Sequence, residues 1–239
     1  CHTVTELNAK STHGIIKNEA SCLNCHEAHS SEHKKLLVMK SSDLCLSCHS
    51  QKIKIADESK KRVLQNIGKK VNEMPFVHHP ASKEDGCVSC HSPHSSMHDN
   101  LLTKNYPNGP YSKYKPGTAK RADTYELCFQ CHKASMLNQN ISAKETLFTN
   151  DTLEDGKVVK KNLHWFHVVD AAGRSHKEAG KTCYTCHDPH GAGQEHNIKS
   201  SYRMGSGPDS DIRVEYSATK DGGQCMKSCH DLRTYRRLE

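Results

Sequence analysis

Hydrophobic residues are sparse along this chain, and few stretches repeat them with the period of a regular element. One stretch has helical spacing and predicts a packing helix: Val63, Leu64, Ile67 and Val71. The segment 105–117 is dense in proline, glycine and asparagine, which predicts an irregular loop. We therefore expect a mostly irregular fold with short α-helices, long connections and little or no β-sheet.

The composition is poor in the side chains that normally build a core. Only 34% of the 239 residues are hydrophobic, 5% are aromatic, and Trp165 is the single tryptophan. A side-chain core of ordinary size needs more apolar residues than this. The formal net charge is +7, but lysines and arginines are scattered and no nucleic-acid-binding motif accompanies them. These features exclude nucleic-acid binding and indicate that another apolar material fills the interior.

A five-residue phrase, C-x-x-C-H, repeats along the chain. Five copies are regular, and the sixth, from Cys225 to His230, has one extra spacer residue. C-x-x-C-H is the attachment signature of c-type haem, in which both thiols form thioether bonds and the histidine becomes the proximal iron ligand. The motifs assign these cysteines to haem attachment: Cys22, Cys25, Cys45, Cys48, Cys87, Cys90, Cys128, Cys131, Cys183, Cys186, Cys225 and Cys229. They assign these histidines as proximal ligands: His26, His49, His91, His132, His187 and His230.

Two other uses of cysteine pairs fit the chain less well. A zinc ribbon needs two pairs that converge on one metal, and it has no use for a histidine after each second cysteine. A disulfide framework also leaves those histidines unexplained. The motif count therefore predicts six haems c, around which the chain would wrap as a stack of flat apolar groups.

The motifs are arranged as three doubled units, at about residues 12–50, 77–133 and 167–231, within a single domain over 1–239. Segments 51–76 and 134–166 connect them. The first motif of each unit is followed by a trailing histidine, as in Cys87 to His94, and the second motif lacks it. No apolar run is long enough to span a membrane as a helix, and no signal-peptide pattern is present. Because c-type haem is attached outside the cytoplasm, we expect a periplasmic or extracellular protein.

Spare histidines supply candidates for the second axial ligand of each iron. A histidine three residues after a proximal one lies on the same helical face, so it should bind a neighbouring haem rather than its own. The six favoured distal ligands are His13, His29, His78, His94, His176 and His190. His79, His164 and His167 are reserves, with His167 a rival to His176, while His33, His98 and His196 recur more loosely downstream.

Cys1 and His2 allow two interpretations. They are the end of a seventh haem motif, with His2 as a ligand, or Cys1 is the lipidated first residue of a lipoprotein. The second interpretation would give the protein a membrane contact through the lipid.

This organisation resembles the doubled C-x-x-C-H family of multihaem cytochromes, and the phrase C-x-x-C-H-x-P-H at Cys87 to His94 and Cys183 to His190 carries the resemblance. Ala28 replaces the proline in the first unit, and the last motif is stretched. The family implies electron transfer through closely spaced haems, with redox proteins, an outer-membrane porin or further copies in a filament as partners. With both axial sites filled by histidine, we expect no catalysis; the alternative is a reductase of a small oxyanion such as nitrite.

Overall fold

The computed structural model describes residues 9–16, 19–55, 62–114, 123–141, 145–170, 179–203, 211–227 and 230–238. The chain divides into two compact units. Unit 1 consists of residues 1–104 with 189–191, and unit 2 consists of residues 105–188 with 192–239.

Unit 1 contains short helices and short strands. The helices are α1 (Ser41–His49) and α2 (Ile67–Glu73). The strands are β1 (Ser11–Thr12), β2 (Ile53–Ile55), β3 (Arg62–Leu64), β4 (Phe76–Val77) and β5 (Ser95–Ser96). β1 pairs with β5 and β2 pairs with β3, both antiparallel. Turns of 3-10 helix at Glu19–Asn24 and Cys87–Ser89 carry the first cysteines of two haem motifs.

The helix predicted over residues 63–71 begins later than its apolar pattern. Residues 62–64 form β3, and α2 starts at Ile67. The Asn66 side-chain oxygen accepts a hydrogen bond from the Lys69 backbone N–H at 2.7 Å. An asparagine cap of this kind fixes a helix start. Val63, which is β-branched, favours the strand that precedes the cap.

Unit 2 contains larger sheets. Its helices are α3 (Glu126–Phe129) and α4 (Leu163–Val168). Its strands are β6 (Tyr111–Ser112), β7 (Thr149–Glu154), β8 (Lys157–Asn162), β9 (Gly180–Lys181), β11 (Ser201–Arg203), β12 (Asp211–Thr219), β13 (Gly222–Lys227) and β14 (His230–Arg236), while β10 (Gly191–Ala192) lies where the units meet in sequence. β11, β12, β13 and β14 form one four-stranded antiparallel sheet in that order.

The prediction of a mostly irregular fold with little or no β-sheet is wrong. Over the residues that the structure describes, strands account for about 31% and form six small antiparallel sheets. Local signals explain two of them. Asp155-Gly156, with φ of 49° and 75°, makes the tight turn between β7 and β8. In β12, buried Ile212 and Val214 alternate with exposed neighbours, which is the period of a half-buried strand.

The sixth haem motif also departs from the expected short helix. Cys225 lies in β13, paired with Tyr216 of β12, and His230 begins β14. The described part of this motif, Cys225 to Lys227 and His230, is therefore in strands, where the first motif of each doubled unit has a helical turn.

The side-chain core belongs to unit 2. Tyr125 is fully buried there, packed with Tyr114, Leu137 and Val168, and the edges of Tyr106 and Phe129 complete the cluster. In unit 1, by contrast, none of the hydrophobic side chains among its described residues is buried. A unit of this size without its own apolar core fits an interior occupied by a large apolar group. None of the helices in the described ranges has the length and apolar character needed to cross a bilayer.

We predict that Asn162→Ala lowers the free energy of unfolding by about 2–4 kcal/mol, because it removes a helix cap and takes the buried amide donor away from two backbone carbonyls. Asn162 is 1% exposed, and its oxygen accepts from His164 N at 2.9 Å while its amide donates to Met136 O and Asn138 O. Denaturant unfolding of the haem-loaded protein, followed by circular dichroism, measures the change. Asn66→Ala removes only a cap and should cost about 1 kcal/mol; equal costs for the two variants would contradict the prediction.

Candidate haem sites

The first motif of each doubled unit folds in the same way. The carbonyl of its first cysteine accepts a hydrogen bond from the backbone N–H of its histidine at 2.9 Å in all three copies, which begin at Cys22, Cys87 and Cys183. One helical turn therefore spans the motif and places its two cysteines and its histidine on neighbouring positions. Attachment of both thiols to one ring requires this closeness.

A second hydrogen bond fixes the direction of each of these imidazoles. Nδ1 donates to a backbone carbonyl nine residues later in the chain: His26 to Lys35 O at 2.9 Å, His91 to Asn100 O at 2.9 Å, and His187 to His196 O at 2.8 Å. Because a carbonyl only accepts, the proton lies on Nδ1 and the lone pair lies on Nε2. Each histidine is thus held in the tautomer that binds a metal through Nε2, with the other nitrogen hydrogen-bonded as in many metal sites.

The carbonyl acceptors belong to a left-handed turn that recurs in each unit. Its residues are Lys35-Leu36, Asn100-Leu101 and His196-Asn197, with φ between 54° and 61°. Left-handed backbone costs about 1–2 kcal/mol for each residue other than glycine. Its occurrence in all three doubled units indicates that the turn serves to place the carbonyl that accepts from the proximal histidine. The sequence carries no signal for this turn, because the three pairs differ and none contains glycine.

Histidine rings face one another in pairs at a constant distance. The ring centres are 6.2 Å apart for His13 and His49, 6.0 Å for His26 and His94, 6.3 Å for His91 and His190, and 6.3 Å for His164 and His187. The planes of each pair lie within 30° of parallel. Since a metal–imidazole bond is about 2 Å long, two imidazoles on opposite sides of one metal ion have ring centres roughly 6 Å apart. The spacing of the four pairs therefore fits one iron between the members of each pair.

Burial keeps several of these imidazoles neutral. It lowers the pKa of His91 and of His187, although the carbonyl hydrogen bond opposes the change in both. The pKa of His164 falls to about 3, first because of burial and then because of the neighbouring His187 and His167. A neutral imidazole is the form that coordinates a metal.

Three of the favoured distal histidines face a proximal histidine of another motif. His94 faces His26 and not His91 of its own motif, while His190 faces His91. His13 faces His49 of the second motif in its own doubled unit. The prediction that a trailing histidine turns away from its own haem thus has a geometric counterpart in two copies.

His78 resembles His13 in its backbone contacts. The His13 N–H donates to His94 O at 2.9 Å, and the His78 N–H donates to His190 O at 3.3 Å. The His78 ring donates from Nδ1 to Pro189 O at 3.2 Å, which favours Nε2 for a metal. His13 of the first doubled unit is thus hydrogen-bonded to the trailing histidine of the second, and His78 of the second to the trailing histidine of the third.

The remaining candidates are placed differently. His164, only a reserve in the sequence interpretation, faces His187, and its Nδ1 lies 2.9 Å from Thr146 Oγ1. His167 donates from Nδ1 to Leu163 O at 2.7 Å and stacks on Phe148. His29 and His79 are exposed. Four residues with predicted roles lie outside the described residues: Cys1, His2, His176 and Cys229.

Some of the motif cysteines touch across motifs. The thiol of Cys45 is hydrogen-bonded to that of Cys87, and this bond lowers the pKa of Cys87. Cys183 is hydrogen-bonded to Cys128 in the same way. The second motif of a doubled unit therefore lies beside the first motif of the next doubled unit. Cys45 and Cys87 show this within compact unit 1, and Cys128 and Cys183 show it within compact unit 2.

Comparison with known proteins agrees with this picture. Residues 13–54 and 78–137 match the family described as the doubled CXXCH motif. No curated protein and no solved structure matches the chain. The two matched segments contain the four motifs from Cys22 to His132, with the trailing histidines His29 and His94. The doubled CXXCH motifs of these two segments thus support a multihaem c-type cytochrome and indicate covalent binding of haem c.

Proposed function

We propose that this cytochrome is an electron carrier in which pairs of histidines fill both axial positions of every iron. Haem supplies an iron that changes between the ferric and ferrous states, at a potential set by its ligands, burial and hydrogen bonds. The observation that carries the proposal is the spacing of the facing imidazoles, 6.0–6.3 Å in four pairs. A histidine on each side leaves no position for a substrate, which favours electron transfer over catalysis.

The hydrogen bonds on the other side of the rings support the same role. A carbonyl that accepts from Nδ1 increases the basicity of the imidazole and stabilises the oxidised metal. His26, His91 and His187 share this arrangement. We propose that it holds the three leading sites at similar potentials and prevents the rings from rotating.

The contacts between the pairs favour a series of neighbouring sites. In unit 1, the His13 backbone N–H donates to His94 O, so the ligand facing His49 is tied to the ligand facing His26. His49 in turn lies close enough to His190 that the charge of one lowers the pKa of the other. The site at His49 therefore lies between the site at His26 and the site at His91, which is also the order of these motifs along the chain. In unit 2, His132 has the same electrostatic effect on His164 and His187.

The repeat points to the remaining ligands. His78 and His176 hold, in the second and third doubled units, the position that His13 holds in the first. We propose them as the last two distal ligands, so that six proximal and six distal histidines account for six haems in the whole chain.

We further propose that the protein works in the periplasm or outside the cell, because haem is attached to such motifs beyond the cytoplasmic membrane. Its partners would then be redox proteins, an outer-membrane porin or further copies of itself.

The oxidised protein should be low-spin at every iron and should not bind small ligands, because an imidazole–iron bond must break before another ligand enters. Electron paramagnetic resonance of the ferric protein measures the spin states, and titration with cyanide, carbon monoxide and nitrite tests the open positions. One iron that binds ligand stoichiometrically, together with nitrite turnover, would favour the reductase instead.

His164→Ala should convert one haem of the complement to the high-spin form, because the ring facing His187 is removed. His167→Ala is the matched control, since this ring lies on the same helix but donates to Leu163 O. Magnetic resonance of the two ferric variants gives the comparison. If His167→Ala produced the high-spin haem and His164→Ala did not, the assignment of the ligand would be wrong.

The intact mass of the purified protein should exceed that of the polypeptide by six haems, one for each complete motif. A second sample with Cys225→Ala and Cys229→Ala should carry five, because these cysteines supply the thioethers of the sixth motif. An unchanged haem count in this variant would show that the strand-borne motif holds no haem.

A further inference from the structure

Two trailing histidines show the same offset, because each faces the proximal histidine of the preceding doubled unit. His190 of the third unit faces His91 of the second, and His94 of the second unit faces His26 of the first. His29 holds the same position in the first unit, three residues after His26. It is exposed, and within the described residues its side chain makes no hydrogen bond, ion pair or ring contact. By the offset, His29 holds the position of a histidine that faces a haem outside its own doubled unit.

The six motifs can be filled without His29. Within the described residues, four proximal histidines have a facing imidazole, supplied by His13, His94, His164 and His190. Apart from His2 and His29, seven further histidines of the sequence remain for the other two irons. The six haems therefore do not depend on His29.

The backbone beside His29 also lacks the partner that its equivalent has. The sequence His-Ser-Ser-x-His occurs at both His29 and His94. After His94, Ser95–Ser96 forms β5 and pairs with Ser11–Thr12, and Lys10 forms an ion pair with Asp99 at 3.1 Å. The matching residues 30–31 form no strand within the described ranges.

Apolar side chains around the first motif are more exposed than their counterparts in the second. Leu23 is 60% exposed, and Leu36, in the left-handed turn, is 44% exposed. The equivalent Val88 and Leu101 are half-buried. The surface that neighbouring residues cover in the second unit is thus open in the first.

We propose that His29 is the axial ligand of a further c-type haem, one that none of the six complete motifs carries. The proposal rests on the paired-histidine ligation proposed above. The group that His29 would bind is a haem iron with a proximal histidine and an open sixth position. Two sources present this chemistry: a haem on a motif that ends at Cys1-His2, and a haem on a separate cytochrome.

The first experiment compares spin states in His29→Ala, His94→Ala and the control His33→Ala. If the protein carries six haems, His29→Ala should leave all six low-spin, whereas His94→Ala should make one high-spin. If the intact mass shows seven haems, His29→Ala should make only the seventh high-spin, which assigns the source to Cys1-His2. A six-haem protein in which His29→Ala produces a high-spin haem would overturn the proposal.

The second experiment tests the separate source in the six-haem protein. The probe is a ferric haem peptide that carries one C-x-x-C-H motif and an open sixth position. Wild-type protein should convert the peptide to the low-spin form at one equivalent, and His29→Ala should weaken binding at least tenfold while His33→Ala does not. Equal binding by wild type and His29→Ala would overturn the proposal. A His94→Ala protein that stays fully low-spin would instead refute the ligand pairing of the proposed function.

Discussion

The distance between facing imidazoles is the constraint on which the arrangement of the motifs depends. Each pair brings together two histidines that are far apart in sequence, such as His91 and His190, and holds their ring centres about 6 Å apart. Ordinary hydrophobic packing does not impose this spacing in unit 1, because its described apolar side chains are not buried. Strand pairs such as β1 with β5, and the backbone bond from His13 to His94, hold the histidines in position. The fold of unit 1 is thus a frame that holds histidine rings opposite one another.

Unit 2 positions its facing imidazoles with a core of buried side chains. Its tyrosine cluster and the buried Asn162 position helix α4, and α4 presents His164. Unit 2 therefore holds the imidazole of His164 opposite that of His187. The four-stranded sheet gives this part of the chain a stable end, to which Gln194 is tied through hydrogen bonds with Val214 O and Tyr216 N.

The sequence shows the haem motifs because they depend on local spacing, and the family match supports them; the distal ligands stay predictions. The position of His164 opposite His187 is not visible in the sequence, since it comes from a helix start at Asn162 and from a contact with a distant motif. The prediction of little β-sheet was wrong although two local signals, the Asp155-Gly156 turn and the alternation in β12, are present in the sequence. The left-handed turn at Lys35, Asn100 and His196 is a property of the backbone, and residues of different types adopt it.

The contacts between cysteines of different motifs have a consequence for the distance between neighbouring cofactors. The fold brings Cys45 beside Cys87 and Cys128 beside Cys183. Each of these cysteines belongs to a haem-attachment motif. Two rings attached through adjacent sulfur atoms would have their edges close together, so an electron that passes from one motif to the next would have only a short step to make.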